Sequence, residues 1–115
     1  QTKKIKIEFI AGDLENRLEN NVEIQIYRII QELMNNILKY ADSSHVTIQI
    51  LKLKNKVNVQ VEDDGIGFNT NEQSSGMGLQ NVRSRVGSLG GEINIDSVIG
   101  RGTYVNIEIP INSNV

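Results

Sequence analysis

The stretch "VNVQVEDDGIGF", residues 57–68, decides the fold. Val57, Val59 and Val61 alternate with polar residues, the period of a strand with one buried face. Asp63 continues that alternation, so its carboxylate falls on the core side where the strand ends. Asp64, Gly65 and Gly67 follow. Acid beside glycine is ordinary turn chemistry, but burying a carboxylate is costly unless it is hydrogen-bonded. Two readings of Asp63 stand side by side: it caps the turn, or it lines a pocket and waits for the donors of a ligand.

Similar alternation recurs on both sides. "KKIKIEFI" places Ile5, Ile7 and Phe9 on one face of a first strand, and residues 10–21 read as a polar loop with room for one helical turn. From about Val22 to Ala41, the positions Ile26, Ile29, Ile30, Leu33 and Ile37 follow helical spacing. "DSSHVTIQILKL" is a turn and then a strand carrying Val46, Ile48 and Ile50, separated from the next strand by "KNK" at 54–56. Residues 65–78 hold four glycines among Asn, Ser, Thr and Gln and read as a loop. Leu79, Val82, Val86 and Leu89 mark a second helix closed by Gly90 and Gly91. Ile93 and Ile95, then Val105, Ile107 and Ile109, give two last strands joined by "SVIGRG". The expected fold is therefore α+β. It is a two-layer α/β sandwich, a mixed and mostly antiparallel sheet of about five strands covered on one face by two or three helices.

Composition narrows the function. At 115 residues the chain suits one domain over its whole length. A net charge of −2 advertises no basic surface, so nucleic acid is not an expected partner. No apolar run reaches the ~20 residues that span a bilayer, so no membrane contact is expected of this domain. With no cysteine and only His45, thiolate and histidine-rich metal centres are excluded.

Three further pieces carry chemistry. In "QELMNNILKYA", at ~100° per residue, Glu32, Asn36, Lys39 and Tyr40 fall within an arc of roughly 100° beside the apolar stripe. Each alone reads as a solvated helix face. Together they offer carboxylate and amide oxygens suited to Mg²⁺, an ammonium suited to phosphate, and a phenol able to pack on ribose or base. In "SSGMGLQNV", Gly76 and Gly78 let backbone approach a ligand just before a helix begins. In "GRGT", Thr103 shares parity with Val105 and faces the core side at a strand end, as Asp63 does.

In this order and spacing the set resembles the ATP-binding catalytic domain of bacterial two-component sensor histidine kinases, the Bergerat fold. "QELMNNILKYA" is similar to the N box, "DDGIG" to the first glycine box, "GMGL" to the second and "GRGT" to the third. Glu32, the short lid, "GLQNVRSRVGSLGGEI" and "GRGTYVNIEIP" resemble the nitrate- and desaturase-sensor subgroup. The resemblance implies that Asp63 accepts the adenine amino group, with Thr103 joining through water. It implies that Gly65 and Gly67 allow the sharp turn beside the base. Asn36, with Glu32 beside it, would hold Mg²⁺, Lys39 would contact phosphate, and Tyr40 would pack near ribose and base. Gly76, Gly78 and Leu79 would form the lid hinge and phosphate cradle, with the ATP lid at about residues 68–77. Glu32 occupies the place where related ATPases keep a general base, and the resemblance makes Glu32, Asn36 and Lys39 the catalytic group.

Three elements of the pattern are not found in these 115 residues. Only "FNTNEQSS" separates Gly67 from Gly76, too short for a phenylalanine box. No phosphoacceptor histidine is present, since His45 sits at a strand start, and the dimerisation helices are absent. The implied function is Mg-ATP binding and donation of the γ-phosphate to a histidine on a separate dimerisation domain, with a response regulator downstream. The domain is expected to face the cytoplasm and to be monomeric alone. Arg83 and Arg85 are expected on a solvated helix face, with the missing helices as the lesser alternative. The other readings of the whole are an ATP hydrolase of the gyrase, mismatch-repair or chaperone type, a serine kinase of the anti-sigma type, and a degenerate nucleotide-binding signalling module.

Overall fold

Alternating valines and isoleucines assemble five strands into one mixed sheet. A computed structural model describes residues 5–12, 19–67 and 79–111. The strands are β1 (Lys6–Gly12), β2 (His45–Lys52), β3 (Lys56–Asp63), β4 (Glu92–Val98) and β5 (Gly102–Pro110), in the spatial order β1-β2-β3-β5-β4. Only the β1–β2 pair is parallel; the other three are antiparallel. Two helices, α1 (Asn20–Asn36) and α2 (Leu79–Ser88), cover one face. The architecture is the α+β sandwich that the patterns predict.

Register keeps the apolar face continuous. Val46, Ile48 and Ile50 of β2 lie beside Asp63, Val61 and Val59 of β3, which lie beside Thr103, Val105 and Ile107 of β5. Against this surface α1 buries Ile26, Ile29 and Leu33, with Ile37 following, and α2 buries Leu79, Val82 and Val86. Helix α1 begins without a side-chain cap, so its packed stripe rather than its terminus holds it in place. Helix α2 closes as expected: the amide of Gly91 reaches the Val86 carbonyl at 2.9 Å and that of Gly90 reaches Gly87 at 3.0 Å.

Three expectations need correction. First, Ile7 and Phe9 occupy the predicted face, in register with Val46 and Ile48, but remain 50% and 58% exposed. β1 is an edge strand, and alternation specifies a face without supplying a cover for it. Second, β1 continues to Gly12 and α1 starts at Asn20, shortening the expected 10–21 loop from both ends. Third, the first helix does not stay α-helical to Ala41. Residues Ile37–Ala41 form a π turn, closed by Asp42 in the left-handed conformation at φ 52°. Its wider winding means that the arc drawn with uniform α geometry holds only as far as Asn36.

Candidate functional site

The corner after β3 is built around two adjacent aspartates with different duties. Asp64 is exposed and acts as an anchor. Its Oδ1 accepts from the amides of Ser44 (2.9 Å) and His45 (3.0 Å), and its Oδ2 accepts from the Ser44 hydroxyl (2.9 Å). These bonds, the His45 amide foremost, hold its carboxyl below the usual carboxylate range. The loop that follows the π turn is thereby tied to the end of β3.

Asp63 is the inward carboxylate that the alternation predicts, only 6% exposed. Its Oδ1 accepts from the Gly65 amide at 2.8 Å and from the Ser43 hydroxyl at 3.1 Å. Both bonds described for this side chain end on one oxygen, which leaves Oδ2 to accept from an incoming donor. Burial pushes its carboxyl above the ordinary value; the Gly65 and Ser43 bonds oppose that rise, and the charges of Asp64 and Glu62 add to it. The turn-capping reading is met at Oδ1, and Oδ2 is the oxygen that the pocket-lining reading requires.

Glycines let three backbone segments meet around it. Gly67, at φ 67°, lies against the β4–β5 turn, where an added Cβ would strike the Val98 carbonyl. Gly102, at φ 105°, lies so close to β3 that a Cβ would fall on the carbonyl oxygen of Asp63. The Gly100 amide closes the corner on the Ile66 carbonyl at 2.7 Å. Thr103 stands opposite Asp63 in the β3–β5 register, its hydroxyl 2.8 Å from that of Ser97.

The helix side is only partly joined to this corner by described contacts. Glu32 and Asn36 lie one turn apart on α1, both half-buried, and Lys39 is exposed on the π turn. Glu32 Oε1 accepts from Arg85 Nε of α2 at 3.0 Å, and Arg85 Nη1 reaches Gln25 Oε1 at 3.3 Å. Arg85 is therefore a link between the two helices, not a residue of a solvated face. One oxygen of Glu32 is committed to it. Among the described residues no group of three His, Cys, Asp or Glu side chains could hold a metal. Asn36 offers an uncharged amide oxygen on this stretch of helix, a donor type that suits a hard cation keeping most of its waters.

Leu79 is the first residue of α2 and is buried. Gly76, Gly78, the side chain of Tyr40 and the expected lid at residues 68–77 lie outside the described residues. Ser43 was not singled out by its sequence, nor was the anchoring role of Asp64. The usable signal for Asp64 was the doubled acid: alternation sends the second carboxylate away from the core, toward the start of β2.

Comparison with known proteins agrees with this fold. The family model described as "Histidine kinase-, DNA gyrase B-, and HSP90-like ATPase" matches residues 21–113. The oxygen sensor histidine kinase NreB of Staphylococcus carnosus is 37% identical over 93% of this chain and 31% of its own length. The sensor histidine kinase ComP of Bacillus subtilis is 34% identical over 88% of this chain and 14% of its own. DegS of Bacillus subtilis, a signal transduction histidine-protein kinase/phosphatase, is 34% identical over 95% of this chain and 30% of its own. The chain thus spans less than a third of each relative. Among solved structures, the blue-light activated histidine kinase EL346 of Erythrobacter litoralis superposes with a TM-score of 0.77 at 28% identity, over 96% of this chain and 36% of that one. The Acinetobacter baumannii histidine kinase AdeS, at 19% identity and a TM-score of 0.74, covers 95% of this chain and 55% of its own and speaks for the fold alone.

Proposed function

The chain belongs to the histidine kinase-, DNA gyrase B- and HSP90-like ATPase family, and from that premise we propose that it binds Mg-ATP and presents the γ-phosphate to a histidine carried by a separate helical domain. The observation that carries this reading is Asp63, a buried carboxylate with one oxygen already satisfied from within. Its Oδ2 accepts from the exocyclic amino group of adenine, and Thr103 joins that contact through water. Gly65 and Gly67 keep the corner free of side chains where the base edge lies.

Asn36 would hold the Mg²⁺, with Glu32 contributing from its second oxygen, and the bound ion would screen the phosphate charge. Lys39 contacts phosphate, Tyr40 packs near ribose and base, and Gly76, Gly78 and Leu79 frame the lid and phosphate cradle. The attacking imidazole nitrogen forms the new bond to phosphorus while the bond to the β-phosphate oxygen breaks, releasing ADP. This chain's part is positioning and charge compensation. The relatives are named as histidine kinases, two of them as sensors, which supports a phosphoacceptor domain and a downstream response regulator as partners and a cytoplasmic setting. No described helix is long and apolar enough to cross a membrane.

A second reading, ATP hydrolysis, is favoured by the carboxylate of Glu32 one turn from Asn36, near enough in sequence to activate water. The bond to Arg85 takes one oxygen of Glu32 and leaves the second to either reading, while the relatives named as histidine kinases favour transfer. Adding a histidine-bearing helical domain with labelled ATP tests this. Transfer yields an acid-labile phosphohistidine, whereas steady release of inorganic phosphate without protein labelling would give the site to hydrolysis.

A further inference from the structure

Ser43 is 1% exposed, and its hydroxyl points at the carboxylate of Asp63 from the loop between the π turn and β2. That loop has a separate tether. Asp64 already ties it down three times through Ser44 and His45. We propose that Ser43 is a positioning residue for nucleotide binding: with the Gly65 amide it saturates Oδ1 of Asp63, keeping Oδ2 an acceptor turned toward the base. The inference rests on the nucleotide-binding reading above and assigns a role within it.

The chemistry is that of one proton. A carboxylate can receive the amino group of a base, while a carboxylic acid can present a donor to that donor and repel it. Burial favours the protonated form of Asp63, as do the like charges of Glu62 and Asp64; the Gly65 and Ser43 bonds favour the ionised one. His45 and Arg101 share an open hollow of about 260 Å³ with Asp63 on the far side of the sheet. Asp96 of β4 lies along a neighbouring hollow, and Val46 and Thr103, the register neighbours on β2 and β5, are uncharged. Only Ser43 supplies a side-chain donor to this carboxylate among the described residues. Because ionised Asp63 is the binding form, affinity is present above its folded pKa and lost as pH falls through it. Removing the hydroxyl moves that loss to higher pH.

The test uses the 115-residue chain, its Ser43→Ala and Ser43→Thr variants, and Mg-ADP as probe. Ser43→Ala is expected to weaken ADP binding about tenfold at neutral pH, the usual consequence of removing one hydrogen bond to a charged group. It should also raise the pH at which binding is half lost, while Ser43→Thr, which keeps the hydroxyl, stays with the wild type. The ligand's own ionisations are common to all three and cancel. A second readout needs no ligand: the Asp63 side-chain carboxyl resonance, followed by NMR against pH, should titrate at higher pH in Ser43→Ala. If Ser43→Ala lowers only the melting temperature and leaves both the affinity and the Asp63 titration unmoved, Ser43 is structural and the inference falls. If the titration moves but no variant, wild type included, binds nucleotide, the nucleotide reading of the site falls instead.

Discussion

β3 begins after the turn at Leu53–Asn55 and ends in the turn at Asp63–Gly67. Both turns are short, polar segments that reverse or redirect the chain beside β5. At the first, Leu53, Lys54 and Asn55 are all exposed, and two backbone bonds suffice: Leu53 N to the Lys56 carbonyl at 2.8 Å, and Ile111 N to the Asn55 carbonyl at 3.0 Å. At the second, an acid is buried, Gly67 in the turn and Gly102 of β5 leave no room for a Cβ beside neighbouring carbonyls, and a serine from another loop donates to the acid. The first end uses only what a turn requires. The second holds a polar group at the expense of burial and retains hydrogen-bonding capacity beyond what the fold consumes. On the proposed reading that surplus is what a site requires and polarity at a turn is not.

The comparison can be broken first at Gly102. Gly102→Ala forces a side chain into the left-handed region and onto the Asp63 carbonyl. It should cost roughly 3 kcal/mol in urea unfolding and take nucleotide binding with it. A wild-type unfolding curve would mean that the corner is looser than its backbone contacts indicate.

Asp63→Asn separates binding from stability. An asparagine oxygen held by Ser43 and Gly65 leaves its NH₂ facing the base, donor against donor. ATP affinity measured by calorimetry should fall about a hundredfold, ~2.7 kcal/mol. Folding should not suffer equally. A carboxyl whose folded pKa is raised stabilises the fold below its unfolded value and loses that contribution as pH rises through the folded one. At neutral pH the ionised group is therefore a burden, and Asp63→Asn should melt no lower than the wild type.

Asp64→Asn should do the reverse, lowering the melting temperature at neutral pH while leaving ATP affinity near that of the wild type. Its depressed pKa contributes stability above the ordinary value of 3.8, and that contribution is lost as pH falls through the folded pKa. The gap between the two melting curves should accordingly close on strong acidification. A gap that persists there would show that Asp64 acts through something other than its charge. At the opposite end of β3, Lys54→Ala should change unfolding free energy by no more than about 0.5 kcal/mol and leave ATP affinity untouched. A larger loss would erase the distinction between the two turns.

Much of this was legible in the residues. The inward Asp63, the helix faces and the sheet class follow from alternation and helical spacing alone, because burial repeats with the geometry of each element. The order of the glycine motifs pointed to a nucleotide corner. What could not be read depends on contacts between distant segments. Arg85 reads as a surface residue along α2 until α1 places Glu32 beside it. Ser43 is one of two serines in a turn, and only the end of β3 distinguishes it from Ser44. The π turn leaves no mark in apolar spacing, because Ile37 stays buried whichever way the winding continues. Edge strand β1 shows the opposite failure, a face correctly predicted and left uncovered.

A crystal structure of the chain with Mg-ADP tests the central claim most directly. It should show the adenine amino nitrogen about 3 Å from Oδ2 of Asp63, with Oδ1 still held by Ser43 and Gly65. A base bound anywhere else, with Oδ2 facing only water, would contradict it.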